Sequence, residues 1–222
     1  MKPRLLDLFS GAGGSAVGYA QAGFEVVGVD IKPYKRYPFE HHVADAIEYA
    51  TEHWSEFDAI HASPPCQHGS HSTKAFRNAG KVYPNFLPQT RDLLTTLPIP
   101  WVIENVPGTD IRADYDLCGC FFGLRLRRRR LFETSWHGSE MMPTHNHVGP
   151  RPFSVIGDYS TSAERAWLGR AATAGERNDA MGIDWMKGHE LGLAIPPAYT
   201  AWIGERLLEH VRMTNPTMKG AA

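Results

Sequence analysis

Charge of one sign, a cysteine framework, long apolar runs and internal repeats are all missing from this chain. Lysine and arginine number 23 against 24 aspartate and glutamate, a net charge of −1. No overall field draws the protein to nucleic acid, so any such contact has to rest on local basic clusters. Three cysteines, an odd number without framework spacing, exclude a disulfide-stapled scaffold and predict reduced thiols in a cytoplasm. No stretch nears the roughly 18 consecutive apolar residues of a membrane span, so no membrane partner is expected. Met1-Lys2-Pro3-Arg4 leads straight into an apparent strand, and no secretory leader is expected. Coiled-coil and solenoid patterns are absent too. What is left is ordinary for one large globular domain: 222 residues, 42% of them hydrophobic and 21% charged.

The first half alternates short apolar runs with helical segments. Residues Arg4 to Phe9, Glu25 to Asp30, Asp58 to Ala62 and Trp101 to Val106 read as strands. Ser15 to Ala22, Ala46 to His53 and Leu87 to Leu97 read as helices, the first stopped by Gly23. That alternation predicts an α/β fold with parallel pairing and right-handed crossovers.

Two loops in this frame carry chemistry. Ser63-Pro64-Pro65-Cys66-Gln67 follows the third strand. Its prolines fix φ near −65° and hold the thiol on a stiff elbow at a strand's carboxyl end, where ligands of open α/β sheets collect. Cys66 is therefore a candidate nucleophile. Ser10-Gly11-Ala12-Gly13-Gly14 is a glycine turn at the start of a helix, where the backbone can approach a bound cofactor closely. Asp30, roughly 20 residues on, ends the second strand, where a carboxylate accepts from both ribose hydroxyls. The turn is shorter than the dinucleotide fingerprint and fits a compact adenosyl cofactor at least as well as a pyrophosphate.

Five motifs in order then resemble those of the DNA cytosine-5 methyltransferases: Asp7 to Gly14, Pro65-Cys66-Gln67, Glu104-Asn105-Val106, Arg128-Arg129-Arg130 and Glu190 to Pro197. The resemblance spans most of the chain. It implies a Rossmann-like, S-adenosylmethionine-dependent methyltransferase sheet with helices on both faces and a small inserted recognition subdomain. It also implies transfer of a methyl group to carbon 5 of a flipped-out cytosine in double-stranded DNA, leaving S-adenosylhomocysteine. Cys66 would add to carbon 6 of the base, and Glu104 would hold its ring nitrogen and amine. Arg128 and Arg130 take the places of the family's paired arginines, one guanidinium at the cytosine carbonyl oxygen. The cofactor would lie against Phe9, Ser10, Gly11, Ala12 and Gly14, with Asp30 on the ribose. Ile31, Asp45 and Ala46 would lie at the adenine, and Ser63 and Pro65 beside the methionine part. The chain departs from the family at Leu126 and Leu193, where a glutamine and an asparagine are usual. A transfer-RNA cytosine methyltransferase of the same fold and a non-catalytic DNA-binding relative are the alternatives.

Several of these residues have a plainer reading as well. Phe9 and Ile31 also suit a core, and Asp45 also suits the amino-terminal cap of the helix after it. Strand alternation over Leu126 to Phe132 would put Arg128 and Arg130 on one face and turn Arg127 and Arg129 to the other, for phosphate or structural contacts. Gln67, Ser70, Lys74 and Arg77 lie in a polar, glycine-containing segment that suits a mobile loop closing over DNA. Cys118, Cys120, His137, His145 and His147 invite a zinc reading, but their spacing matches no standard ligand pattern, and no metal is expected.

The expected layout is a catalytic and cofactor-binding core over 1–132, a recognition insert over 133–189, a closing motif and returning helix over 190–213, and a disordered tail over 214–222. So short an insert predicts a short or relaxed target sequence. A monomer is expected, in a bacterial or virus-infected cytoplasm, with roles in restriction-modification or in viral DNA protection both open.

Overall fold

The computed structural model describes residues 2–138, 140, 142, 144–155 and 160–215. Its strands are β1 (Arg4–Leu8), β2 (Glu25–Asp30), β3 (Glu40–Val43), β4 (Ala59–Ala62), β5 (Trp101–Asn105), β6 (Tyr115–Leu117) and β7 (Arg130–Thr134). Its helices are α1 (Gly14–Ala22), α2 (Ala46–His53), α3 (Lys74–Asn78), α4 (Leu87–Thr96), α5 (Ser162–Leu168), α6 (Ala174–Met181), α7 (His189–Leu193) and α8 (Pro197–Thr214). The strands form one sheet in the order β3-β2-β1-β4-β5-β7-β6. The first five are parallel; β7 runs antiparallel to both β5 and β6.

The central strands are covered on both faces, which is why they read as unbroken apolar runs. Successive side chains divide between the two faces. Leu5, Ala59 and Val102 pack with Ala16 and Tyr19 of α1 and Tyr199, Ile203, Leu207 and Val211 of α8. Leu6, Leu8, Ile60, Ala62 and Ile103 pack with Ala46 and Ala50 of α2 and Leu87 and Leu94 of α4. The helix expected after Pro196-Pro197 is α8, with Pro197 at its start, where the missing N–H costs nothing. It lies against α1 so closely that a Cβ on Gly18 would come within 2.2 Å of Pro197 O. Thr200 Oγ1 seals the crossing by donating to Ser15 O at 2.9 Å.

One expectation needs correction. The arginine strand begins only at Arg130, so alternation does not govern Arg128. The chain before it is drawn out of the sheet instead: Phe153 N donates to Arg125 O at 2.7 Å, and Leu126 is buried with Val155, Met181, Ile183, Met186 and Leu191. The apolar residues of the 133–189 segment are thus packed against Ala12, Leu126 and Leu191 of the rest of the chain. The segment after Gln67 is folded as a 3-10 turn at His71–Thr73 running into α3. Of the tail expected from residue 214, Thr214 ends α8 and 216–222 lie outside the described residues.

A buried polar layer lies in the sheet itself. Asp7 of β1 accepts from Ser15 Oγ at 2.8 Å and from Tyr37 OH at 3.4 Å. His61 of the neighbouring β4 has its Nδ1 2.9 Å from Tyr19 OH, and its Nε2 lies 4.0 Å from Asp7 Oδ1. Burial pushes the Asp7 carboxyl up to about 7 and the His61 imidazole down to about 3, so both are neutral in mildly acidic solution. Between pH 4 and 6.5 the native state then binds an extra proton at Asp7, whereas the unfolded state binds the extra one at His61. Rising pH destabilises through the first and stabilises through the second, and in the native chain the two oppose each other. Urea unfolding across that window should show Asp7→Asn gaining stability relative to wild type as pH rises, with a slope approaching ~1.4 kcal/mol per pH unit. His61→Gln should lose stability at a similar slope; the same sign in both variants would contradict the pairing.

Candidate active site

The carboxyl ends of β1, β2, β4 and β5 open into a cavity of about 310 Å3. This is the edge where strand order changes direction, β1 leading outward to β2 and β3 on one side and to β4 and β5 on the other. Phe9, Ser10, Gly11, Ala12 and Gly14 line it from the turn after β1, Asp30 and Ile31 from the end of β2, and Asp45 and Ala46 from the start of α2. Ser63, Pro65, Cys66 and Gln67 line it from the proline elbow, and Glu104 and Arg130 from β5 and β7. Every cofactor residue expected from sequence therefore borders one space, together with the expected nucleophile.

The glycine turn is held open by the carboxylate it faces. Gly11 and Gly13 adopt left-handed φ values of 52° and 87°, which glycine takes without strain. The Gly11 N–H donates to Asp30 Oδ2 and the Lys32 N–H to Asp30 Oδ1, both at 3.0 Å. Asp45 is a helix cap in fact: its Oδ1 accepts from Ile47 N at 2.9 Å and Glu48 N at 3.1 Å. It still borders the cavity, so the two readings of Asp45 are compatible. Ile31 is 71% exposed, a large apolar side chain left uncovered at the cavity rim rather than a core residue.

The elbow is tied down on both sides. Ser63 N donates to Leu8 O at 3.1 Å and Ser63 Oγ to Phe9 O at 3.2 Å. Asn105 Nδ2 donates to Pro64 O at 3.0 Å, which fastens the segment carrying Cys66 to the strand carrying Glu104. Sequence reasoning gave Asn105 no task. A fully buried amide at a strand end needs a partner, and that need was the available signal.

Glu104 is buried, and its Oε1 lies 2.8 Å from Arg130 Nε. The N–H is not aimed along that line, so Oε1 keeps an unmet hydrogen-bonding capacity. Burial raises the Glu104 pKa, against the lowering effect of Arg130 and Arg128. Burial also raises the Cys66 thiol, helped by the Glu104 charge and opposed by the two arginines. The thiol is thus held protonated at neutral pH, and the arginines alone do not make it a thiolate.

Arg128 does not share the cavity with Arg130. Its guanidinium is spent on three carbonyl groups: Gly192 O at 2.7 Å, Val155 O at 3.0 Å and Ala194 O at 3.1 Å. Burial and the neighbouring Arg130 push its pKa down to about 9, which leaves it charged. Arg128 thereby pins the closing segment, and its own carbonyl accepts from Tyr199 OH at 2.7 Å. Ser70 and Arg77 are likewise turned inward. Ser70 is buried and accepts from Ser72 N, and Arg77 donates to the carbonyls of Gln67 and Ser70. Lys74 is exposed. Tyr34, Phe86 and Glu190, which no motif reading singled out for the cavity, also line it. Arg36 holds Glu190 at 2.6 Å, so the closing segment is clipped to the loop after β2.

Comparisons with known proteins bear on the fold. Residues 3–110 match the family model of C-5 cytosine-specific DNA methylase. No curated protein matches the sequence. Among solved structures, the S. pombe Dnmt2 methyltransferase is similar with a TM-score of 0.57 at 16% identity, over 94% of this chain and 99% of that one. The Entamoeba histolytica methyltransferase EhMeth is similar with a TM-score of 0.56 at 16% identity, over 94% and 98%. A mutant of Spodoptera frugiperda DNMT2 is similar with a TM-score of 0.59 at 13% identity, over 93% and 99%. At such identities the likeness is one of fold. The mixed α/β sheet is that of these methyltransferases, and the family match falls on the half of the chain that holds the elbow and the glycine turn.

The placement of Glu104 beside the thiol can be checked directly. Glu104→Gln removes the carboxylate that helps raise the Cys66 pKa, so the pH midpoint for alkylation of Cys66, followed on its peptide by mass spectrometry, should move down. An unchanged or higher midpoint would contradict the electrostatic link.

Proposed function

We propose that this chain is a DNA cytosine-5 methyltransferase that uses S-adenosylmethionine and acts, as a monomer, on a cytosine turned out of duplex DNA. The observation that carries the reading is the meeting of Cys66, Glu104 and Arg130 in one cavity with the glycine turn and Asp30. The residues suit the cofactor. Asp30 offers a carboxylate where a ribose diol would sit, and Ile31 and Phe9 offer apolar surface for a purine. Asp45 would lie at its amine, with Ser63 and Pro65 beside the methionine part. When bound, the cofactor supplies an electrophilic methyl group on a sulfonium.

The chain's own residues would prepare the acceptor. Carbon 5 of cytosine is a poor nucleophile until a thiolate adds to carbon 6. Cys66 gives up its proton to solvent and forms that bond. Glu104, whose pKa burial raises, takes up a proton from solvent as the base enters, donates it to ring nitrogen 3 and accepts from the exocyclic amine, so electron density moves to carbon 5. Arg130, beside Glu104, holds the carbonyl oxygen as negative charge builds there. Once carbon 5 is methylated, loss of its proton to water restores the double bond and expels Cys66. A base stacked in a duplex cannot reach the thiol, which is why the target must be flipped. Arg128 acts here as a positioning residue that fixes the segment leading to Arg130. No helix among the described residues is long and apolar enough to cross a membrane.

The likeness of residues 3–110 to C-5 cytosine-specific DNA methylases favours DNA. Labelled donor offered with duplex DNA and with transfer RNA identifies the acceptor: label is expected in DNA, and label in transfer RNA alone would move the same site to the RNA class. Cys66→Ser should lose turnover by several orders of magnitude with cofactor affinity nearly unchanged. Full turnover by that variant would refute the covalent route.

A further inference from the structure

We infer that Cys118, Cys120, His145 and His147 bind a zinc ion outside the cavity, at a structural site independent of the proposed reaction. Their four ligand atoms all lie within 4.8 Å of one another. Cys118 Sγ is 3.6 Å from His147 Nε2, and Cys120 Sγ is 3.9 Å from His145 Nδ1. Tetrahedral zinc with bonds of about 2.3 Å to sulfur and about 2.0 Å to nitrogen sets ligand-to-ligand edges near ~3.3–3.8 Å. The side chains therefore stand almost where the ion would hold them. Thiols and imidazoles hydrogen-bond weakly to each other, so four converging on one point are poorly explained by mutual bonding. Two sulfurs and two ring nitrogens are a donor set that zinc fills, and four protein ligands leave no open position for chemistry.

The surroundings supply a second observation. His145 Nε2 lies 3.7 Å from Asp116 Oδ2, which turns its Nδ1 toward the cluster, the arrangement of a carboxylate-oriented metal ligand. Asp116 is in turn held by the Arg129 guanidinium, and Arg127 donates to His147 O at 3.1 Å. Arg127 and Arg129, neither of which lines the cavity, thus both brace this site. His137, the other histidine of the sequence expectation, is not part of the group. The spacing matched no standard pattern because the fold sets the geometry: β6 delivers Cys118 to the 3-10 turn at Gly119–Phe122, which carries Cys120, while the histidines come from the extended chain of the 133–189 segment. The ion would fasten that segment to the turn just before Arg128 and Arg130.

The test is metal content of the full chain, expressed with zinc and purified under reducing conditions without chelators. One zinc ion per chain is expected, with a tetrahedral cobalt spectrum on replacement. Both should be lost in the Cys120→Ser, His145→Ala double variant. Asp116→Asn should keep the site but weaken zinc about 10–100-fold in competition with a chelating dye. A wild-type chain that holds no zinc and gives no tetrahedral cobalt spectrum overturns the inference, as does a double variant that retains full zinc. The wild-type result stands whether or not the variants fold.

Discussion

The buried charge of Glu104 is the constraint around which the site is arranged. Every residue of β5 is buried, and a carboxylate at its end is costly unless a cation meets it. Arg130 is that cation, and it arrives because β7 pairs antiparallel with β5 rather than extending the parallel series. The same pair sets the state of the nucleophile. Cys66 feels the carboxylate against it and the guanidinium for it, with burial deciding in favour of the thiol. A base that neutralises or engages Glu104 would remove one of the two influences that oppose ionisation, so recognition of the base and activation of the sulfur are coupled.

That coupling needs a rigid frame. Asn105 joins the elbow to β5, Ser63 joins it to β1, and Arg128 ties the segment before Arg130 to the backbone around Gly192 and Ala194. Beneath them, α1 and α8 pack with Gly18 at a contact no side chain could enter. The cavity is therefore a rigid edge of the sheet, with the closing segment as its far wall.

Much of this was legible in sequence where the signal is local. The helix Ala46–His53 is read from its cap Asp45 and its apolar spacing, and the elbow and glycine turn from proline and glycine stereochemistry. The site residues of β1, β2, β4 and β5 follow once the strand ends are known. What stayed hidden depends on partners distant in the chain. Glu40–Val43 is polar and edge-placed, so β3 has no apolar alternation to announce it. Arg128 reads as a strand residue until Phe153 is seen to draw its neighbourhood out of the sheet. Ser70 and Arg77 look like phosphate contacts, but short-range hydrogen bonds use them to build their own turn. The two cysteines and two histidines are separated by a span that only the folded chain closes.

The central claim is a covalent bond between Cys66 and carbon 6 of a cytosine, and a mechanism-based trap tests it most directly. Duplex DNA carrying 5-fluorocytosine, incubated with the chain and S-adenosylmethionine, should leave a stable protein–DNA adduct, because fluorine cannot depart as the proton does. Mass spectrometry should place that adduct on the peptide containing Cys66. An adduct on Cys118 or Cys120, or methyl transfer to ordinary DNA without any trapped species, would contradict the account.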